Sequence, residues 1–191
     1  NVLAQCYDGL YKLDKDGNVV ANLATDLPEI SEDGKVYTIK IKDGLTWSDG
    51  TPLTAEDFVW SWMRAMTTEG YYTNFMYNYI EGTTHMVKNE EGELVEMPYT
   101  DMEDLEKNMG VEAVDDTTIK ITLKMSAPYF ESMLANTVFY PVNKNEVGSD
   151  PSSSEWAQNA SEEDPIVTNG AFEITGVNIK DAITLGKSDN Y

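Results

Sequence analysis

Lys42-Asp-Gly-Leu-Thr-Trp-Ser-Asp-Gly-Thr-Pro-Leu-Thr-Ala-Glu-Asp-Phe-Val-Trp-Ser-Trp-Met-Arg64 decides the fold. The residues leading into it, Val36 to Lys42, alternate. Tyr37, Ile39 and Ile41 point one way, and Thr38, Lys40 and Lys42 the other, which is the period of a strand with one buried face. Asp43-Gly44 ends that strand and Asp49-Gly50 supplies a second turn, because glycine reaches positive φ without steric cost. Pro52 holds off the helix until Thr54 can cap it. Asp57, three residues on, completes a capping box. Glu56 and Asp57 also oppose the positive end of the helix dipole. The helix then carries Phe58, Val59, Trp62, Met63 and Met66, spaced as one wide apolar stripe. Burying each such side chain is worth roughly 1.5–3 kcal/mol. Trp62 is expected in the core, and Trp47 and Trp60 with it.

Outward from this corner, Leu10 to Leu13 and Asn18 to Val20 flank Asp14-Lys-Asp-Gly17 and read as a hairpin. The aspartates of that turn do not have calcium-loop spacing, since the glycine falls too early and no glutamate closes the loop. Tyr71 to Tyr79 is dense in aromatics and reads as a short helix or an irregular wall. Asn89 to Pro98 is acidic, an exposed loop or hairpin. Thr100 with Glu103 forms a second capping box, opening a helix with Met102 and Leu105 inward that Gly110 ends. Val111–Val114 and Thr118–Met125 form the clearest hairpin, with Ile119, Ile121, Leu123 and Met125 on one face. Pro128 suits a first helical turn, with helix following over Tyr129–Ala135. Val138–Val142 reads as a strand, Gly148–Asp164 as a surface segment, and Phe172–Thr175 and Ala182–Leu185 as the last two strands. Strands outnumber helices and alternate with them irregularly, which favours an α/β or α+β fold on a mixed sheet.

The chain has 34 acids against 13 bases, a formal net charge of -21, which repels nucleic acid and anionic membranes and favours a soluble monomer. No apolar run approaches the 18 or so residues of a membrane span. One cysteine, Cys6, forbids an internal disulfide, and His85, the one histidine, is expected in a loop. Together they argue against a structural zinc site and a Cys/His catalytic pair. With so many carboxylates, no single Asp/Glu pair points to a glycosidase. There is no G-x-S-x-G elbow, S-x-x-K, phosphate-binding glycine loop or dinucleotide fingerprint. Leu3-Ala-Gln-Cys6 lacks the charged and apolar leader of a lipoprotein cleavage box. The sequence starts mid-pattern and is expected to be a piece of a longer protein. The aromatic cluster is compatible with a ligand wall, though such clusters are more often plain packing.

Four blocks, in order, resemble the extracytoplasmic solute-binding proteins of family 5, the peptide- and nickel-binding components of ABC importers. They are Tyr7-Asp-Gly-Leu-Tyr-Lys-Leu-Asp-Lys-Asp-Gly-Asn-Val-Val-Ala-Asn-Leu-Ala24, with Ala21 where the family has proline; the Lys42–Arg64 signature; Gly110 to Leu123 with Ala127-Pro-Tyr-Phe130; and Ile166-Val-Thr-Asn-Gly-Ala-Phe-Glu-Ile174 with Ser188-Asp-Asn-Tyr191. The third block resembles the oligopeptide-binding branch in particular.

The resemblance implies the N-terminal part of a type II periplasmic-binding-protein-like fold, in which two hinged lobes close on a ligand. Residues 1–45 are then a first-lobe segment, 46–164 the small extra α/β domain of peptide binders, and 165–191 the return to the first lobe. The second lobe, which by the same resemblance holds the acidic anchor for a peptide amine, is expected to lie outside these residues. The implied function is a substrate-binding component that captures oligopeptides and delivers them to ABC permease subunits. It needs no catalytic residue, metal ligand or cofactor. The residues carried over to the ligand are Tyr72, with Tyr71 as its alternate, Asn136, Asn169 and Gly170. The implied location is extracytoplasmic, either periplasmic or lipid-anchored outside the cell membrane. The rival readings are a family member taking nickel, haem or a sugar oligomer, and an unrelated extracellular enzyme or adhesion module.

Overall fold

A computed structural model of the chain describes residues 2–68, 70, 72–153, 155–158, 160–178, 181–189 and 191. A short helix, α1 (Leu3–Cys6), leads into a hairpin of β1 (Tyr11–Leu13) and β2 (Val19–Ala21). Its turn closes as the residue types demand. The Asp14 carboxylate accepts the N–H groups of Asp16 and Asn18 at 2.8 and 2.9 Å, and Gly17 sits at φ 84°. There follow β3 (Glu29–Ile30), β4 (Val36–Lys40), α2 (Ala55–Thr67), α3 (Asn74–Tyr77), β5 (Thr84–Lys88), β6 (Leu94–Pro98), α4 (Met102–Asn108), β7 (Val111–Asp115), β8 (Thr118–Thr122), α5 (Phe130–Met133) and α6 (Lys144–Val147). Two 3₁₀ turns, Thr137–Phe139 and Glu155–Gln158, precede the closing hairpin of β9 (Phe172–Asn178) and β10 (Ala182–Lys187). Helices and antiparallel strands are mixed along the chain, as the α/β reading expects.

The central sheet is antiparallel in the order β3-β4-β8-β7. Its register pairs Tyr37 with Ile121 and Ile39 with Ile119, and Val111 with Ile121 from the other side. All five side chains are buried, so the alternation in the sequence becomes one apolar face. Helix α2 lies in the same core with Phe58, Val59, Trp62, Met63 and Met66 buried, and Trp47 and Trp60 are buried as well. Two buried polar-tipped rings each find a backbone acceptor. Trp62 Nε1 donates to the Phe139 carbonyl at 2.9 Å, and the Tyr37 hydroxyl donates to the Ala127 carbonyl at 3.0 Å. Edge-on ring contacts tie Trp62 to Phe139 at 5.6 Å and Tyr37 to Phe130 at 5.4 Å.

The capping box at Thr54 forms, with the Thr54 N–H donating to Asp57 Oδ2 at 2.8 Å. The Trp47 side chain also hydrogen-bonds Asp57. Burial pushes the Asp57 carboxyl upward, and the hydrogen bonds from Thr54 and Trp47 oppose that shift. Trp47 therefore belongs to the helix cap as well as to the core.

Five expectations change. The second helix is capped by Asp101, whose carboxylate accepts the Asp104 N–H at 3.0 Å, and not by Thr100. Val138–Val142 is not a strand, because the backbone groups a ladder would need are already taken. Asn136 Oδ1 holds the Val138 N–H, and Trp62 holds the Phe139 carbonyl. Met125 does not join the face of Ile119, Ile121 and Leu123; β8 ends at Thr122 and Met125 is 57% exposed. The helix expected over Tyr129–Ala135 contracts to α5, since Asn136 starts a new 3₁₀ turn. His85 lies in β5 opposite Met97, its ring 4.4 Å from that of Tyr99, rather than in a loop.

Strand pairing also crosses the boundary expected at residue 45. Strand β4 precedes it and β8 follows it, yet the two are paired over five residues, Val36–Lys40 with Thr118–Thr122. Strands β3 and β4 therefore share one sheet with β8 and β7.

Candidate functional site

Thr168-Asn169-Gly170 ties three distant stretches together, each residue by a different bond. The Thr168 N–H donates to Ser48 Oγ at 3.0 Å, and its carbonyl accepts the Ser48 N–H at 2.7 Å. Asn169 grips the main chain of Asp8 from both sides. Its Oδ1 accepts the Asp8 N–H and its Nδ2 donates to the Asp8 carbonyl, each at 3.0 Å. Gly170 donates its N–H to the Cys6 carbonyl at 2.8 Å. A Cβ on Gly170 would stand 2.6 Å from the Cys6 carbonyl carbon and 2.9 Å from Tyr7 N, so only glycine permits this approach. The buried side chains of Thr168 and Asn169 explain why a polar triplet can sit inside: its donors and acceptors are matched.

The clasp presents Asp8. Asn22 Nδ2 donates to Asp8 Oδ1 at 2.8 Å, and Tyr191 hydrogen-bonds the same carboxylate. Tyr140 lies against the backbone of Gly9, where an added Cβ would come within 2.3 Å of the ring. The Asp8 charge pushes the Tyr191 phenol upward; burial first, and then the same charge, pushes the Tyr140 phenol upward. Asn22, Tyr140, Asn169 and Tyr191 thus converge on Asp8, one carboxylate flanked by two phenols, an arrangement suited to hydrogen-bonding a polar ligand.

Of the residues expected at a ligand, Asn169 and Gly170 are brought together with the N-terminal segment, and both act through the main chain they hold. Asn136 caps the 3₁₀ turn beside Tyr140, with its Oδ1 committed to the Val138 N–H at 3.1 Å. Tyr72 stands at the entry to α3, 53% exposed, its ring 5.6 Å from that of Phe75. Tyr71 lies outside the described residues. Another tyrosine pair, Tyr79 and Tyr129, meets edge-on at 5.8 Å with Tyr129 half exposed. Sequence reading missed Asp8 and Tyr140. Asp8 stood inside the first quoted block, and Tyr140 was hidden in a stretch whose alternation suggested a strand. Among the described residues, no three His, Cys, Asp or Glu side chains converge as a metal site would need.

Residues 18–191 match the family described as bacterial extracellular solute-binding proteins, family 5 Middle. The chain is 33% identical over its whole length to the oligopeptide-binding protein OppA of Bacillus subtilis, covering 32% of that relative. It superposes on the peptide-bound OppA of Listeria monocytogenes with a TM-score of 0.70 and 33% identity, covering all of this chain and 34% of that one. On the murein tripeptide-binding protein MppA of Escherichia coli the TM-score is 0.72 at 27% identity, covering all of this chain and 34% of the other. The chain spans about a third of the length of the curated relatives it matches.

Proposed function

Since the chain belongs to the bacterial extracellular solute-binding proteins of family 5, we propose that it is part of an extracytoplasmic receptor that captures short peptides and delivers them to ABC permease subunits. The observation that carries this reading is the end-to-end similarity to proteins that bind oligopeptides, one of them solved with its peptide. The family is one of solute binders, and the proposed work is non-covalent. Closure of two lobes expels water and main-chain groups of an extended peptide are hydrogen-bonded, with no bond broken. The receptor is a monomer, periplasmic or lipid-anchored at the outer face of the cell membrane.

In this reading Tyr72, or Tyr71 as its alternate, and Asn136 face the peptide. Asn169 and Gly170 keep the Cys6–Asp8 strand of main chain in place at the passage between segment 46–164 and residues 165–191. The ring of Tyr72, 53% exposed, is open to contact with a ligand.

Mass spectrometry of what co-purifies with the natural full-length protein tests the proposal. A mixed population of short peptides is the expected result. A single bound metal ion, haem or glycan would overturn it. Tyr72→Ala should weaken peptide binding about threefold to tenfold, the equivalent of one aromatic contact of about 0.5–1.5 kcal/mol. Its melting temperature should stay close to the parent's, as for other surface substitutions. A large loss of melting temperature would assign the ring to the core.

A further inference from the structure

Lys124, two residues past the end of β8, meets the face of the β5–β6 hairpin. Its Nζ donates to Thr84 Oγ1 at 2.7 Å and to Glu96 Oε1 at 2.9 Å, and the Thr84 hydroxyl donates to the same Glu96 oxygen. The hairpin register explains the meeting. Thr84 stands opposite Pro98 and Met86 opposite Glu96, so Thr84, Glu96 and Pro98 share one strand face. The Lys124 backbone is fixed in turn, its N–H donating to the Tyr79 carbonyl at 2.8 Å. The Thr84 hydroxyl first, and then Lys124, hold the Glu96 carboxyl below its ordinary range, so it stays ionised at neutral pH.

These three side chains line a cavity of about 240 Å³, with Asn78, Pro98 and Met125 among its other walls. The cavity reaches the charged groups, since the Lys124 side chain is 23% exposed and that of Glu96 58%. Both keep bonding capacity. An ammonium has three donors, and Lys124 uses two of them. Glu96 Oε2 and the Asn78 carboxamide have no partner among the described residues. Pro98 and the exposed Met125 give the cavity an apolar side.

We propose that this cavity binds a free α-amino acid with an apolar side chain as its zwitterion, the carboxylate accepting from Lys124, the ammonium donating to Glu96 Oε2, and the side chain lying on Pro98 and Met125. The two charged groups of the protein stand 2.9 Å apart. An α-amino acid carries its own two charges on one carbon, so a single small guest meets both. A guest with a carboxylate alone leaves Glu96 unmatched and is repelled by a protein of net charge -21. A guest with an ammonium alone meets Lys124. The zwitterion has no net charge and escapes both penalties. The volume lies below the ~300–1,000 Å³ that holds drug-sized ligands, which fits so small a guest. The lining shares no residue with the clasp on Asp8 or with Tyr72 and Asn136, so the site is separate from peptide capture and does not depend on that reading.

The test titrates the natural full-length protein, freed of co-purified ligand and labelled at its methionine methyl groups, with L-leucine. The readout is the NMR signal of the Met125 methyl, assigned by its loss in Met125→Leu. That signal should move saturably with leucine. N-acetylleucine, which lacks the ammonium, and leucine methyl ester, which lacks the carboxylate, should each bind at least fivefold more weakly. Glu96→Gln and Lys124→Met should each weaken leucine at least fivefold. Should Lys124→Met fail to fold, Glu96→Gln, an exposed substitution, decides alone. A Met125 signal indifferent to leucine, equal binding of leucine and either blocked form, or leucine binding unchanged in a folded variant would each refute the proposal.

Discussion

Trp62→Ala should destabilise the protein by about 3–5 kcal/mol, the range for truncating a buried aromatic side chain. Three losses coincide at that position. The indole is fully buried on α2 between Phe58 and Phe139, so its removal leaves a cavity. Its edge contact with Phe139 disappears. The Phe139 carbonyl, which accepts from Trp62 Nε1 at 2.9 Å, is left without that donor in a buried place. Trp62→Phe separates these contributions. It retains most of the ring and loses the hydrogen bond, so it should cost about 1–3 kcal/mol. Denaturant unfolding of parent and variants, followed by a probe of this region, measures the difference. A loss below about 1 kcal/mol for the alanine variant would show that the α2 core does not depend on this ring.

Gly170→Ala is the second large effect. The new methyl would meet the Cys6 and Tyr7 backbone at 2.6 to 2.9 Å, and backbone cannot move aside as a flexible side chain can. Overpacking of this kind costs about 1–3 kcal/mol and sometimes more. The Gly170–Cys6 hydrogen bond would stretch with it, and Asn169 would lose its hold on Asp8. We therefore expect a lower melting temperature and weakened peptide binding together. Gly176→Ala is the matched control. A methyl there meets only the Thr184 side chain at 3.5 Å, an ordinary contact, and the change should stay within about 1 kcal/mol. Equal effects from the two substitutions would mean that the clasp contributes nothing special.

Much of the architecture could be read without coordinates, for identifiable reasons. Period-two runs such as Tyr37-Ile39-Ile41 and Ile119-Ile121 carry their own pairing instructions, because a slip of one residue would turn the apolar face to water. The Thr54–Asp57 capping box is likewise local, since donor and acceptor lie three residues apart. Readings failed where a distant partner claimed a backbone group. The run Val138–Val142 has strand composition, but Trp62, 77 residues away, takes the Phe139 carbonyl. Met125 fits the alternation of its hairpin, but the pairing that would enforce it stops at Thr122.

The candidate site was less legible than the fold. Thr168-Asn169-Gly170 stood out only through resemblance, and nothing in the triplet says that its partners are Ser48, Asp8 and Cys6. Arg64 could be seen as the sole arginine, but not as a cation lacking a carboxylate among the described residues. Trp156 sat in a polar segment with no periodicity to suggest that its ring lies 5.7 Å from the Arg64 guanidinium. Local alternation, caps and turns are short-range physics, written in neighbouring residues, and from them the sequence alone determined the paired strands around Ile39 and Ile119, the long α2 helix and its buried face. Which side chains converge from distant stretches of the chain depends on chain closure and packing. Only the tertiary structure decided the clasp on Asp8 and the pairing of Arg64 with Trp156.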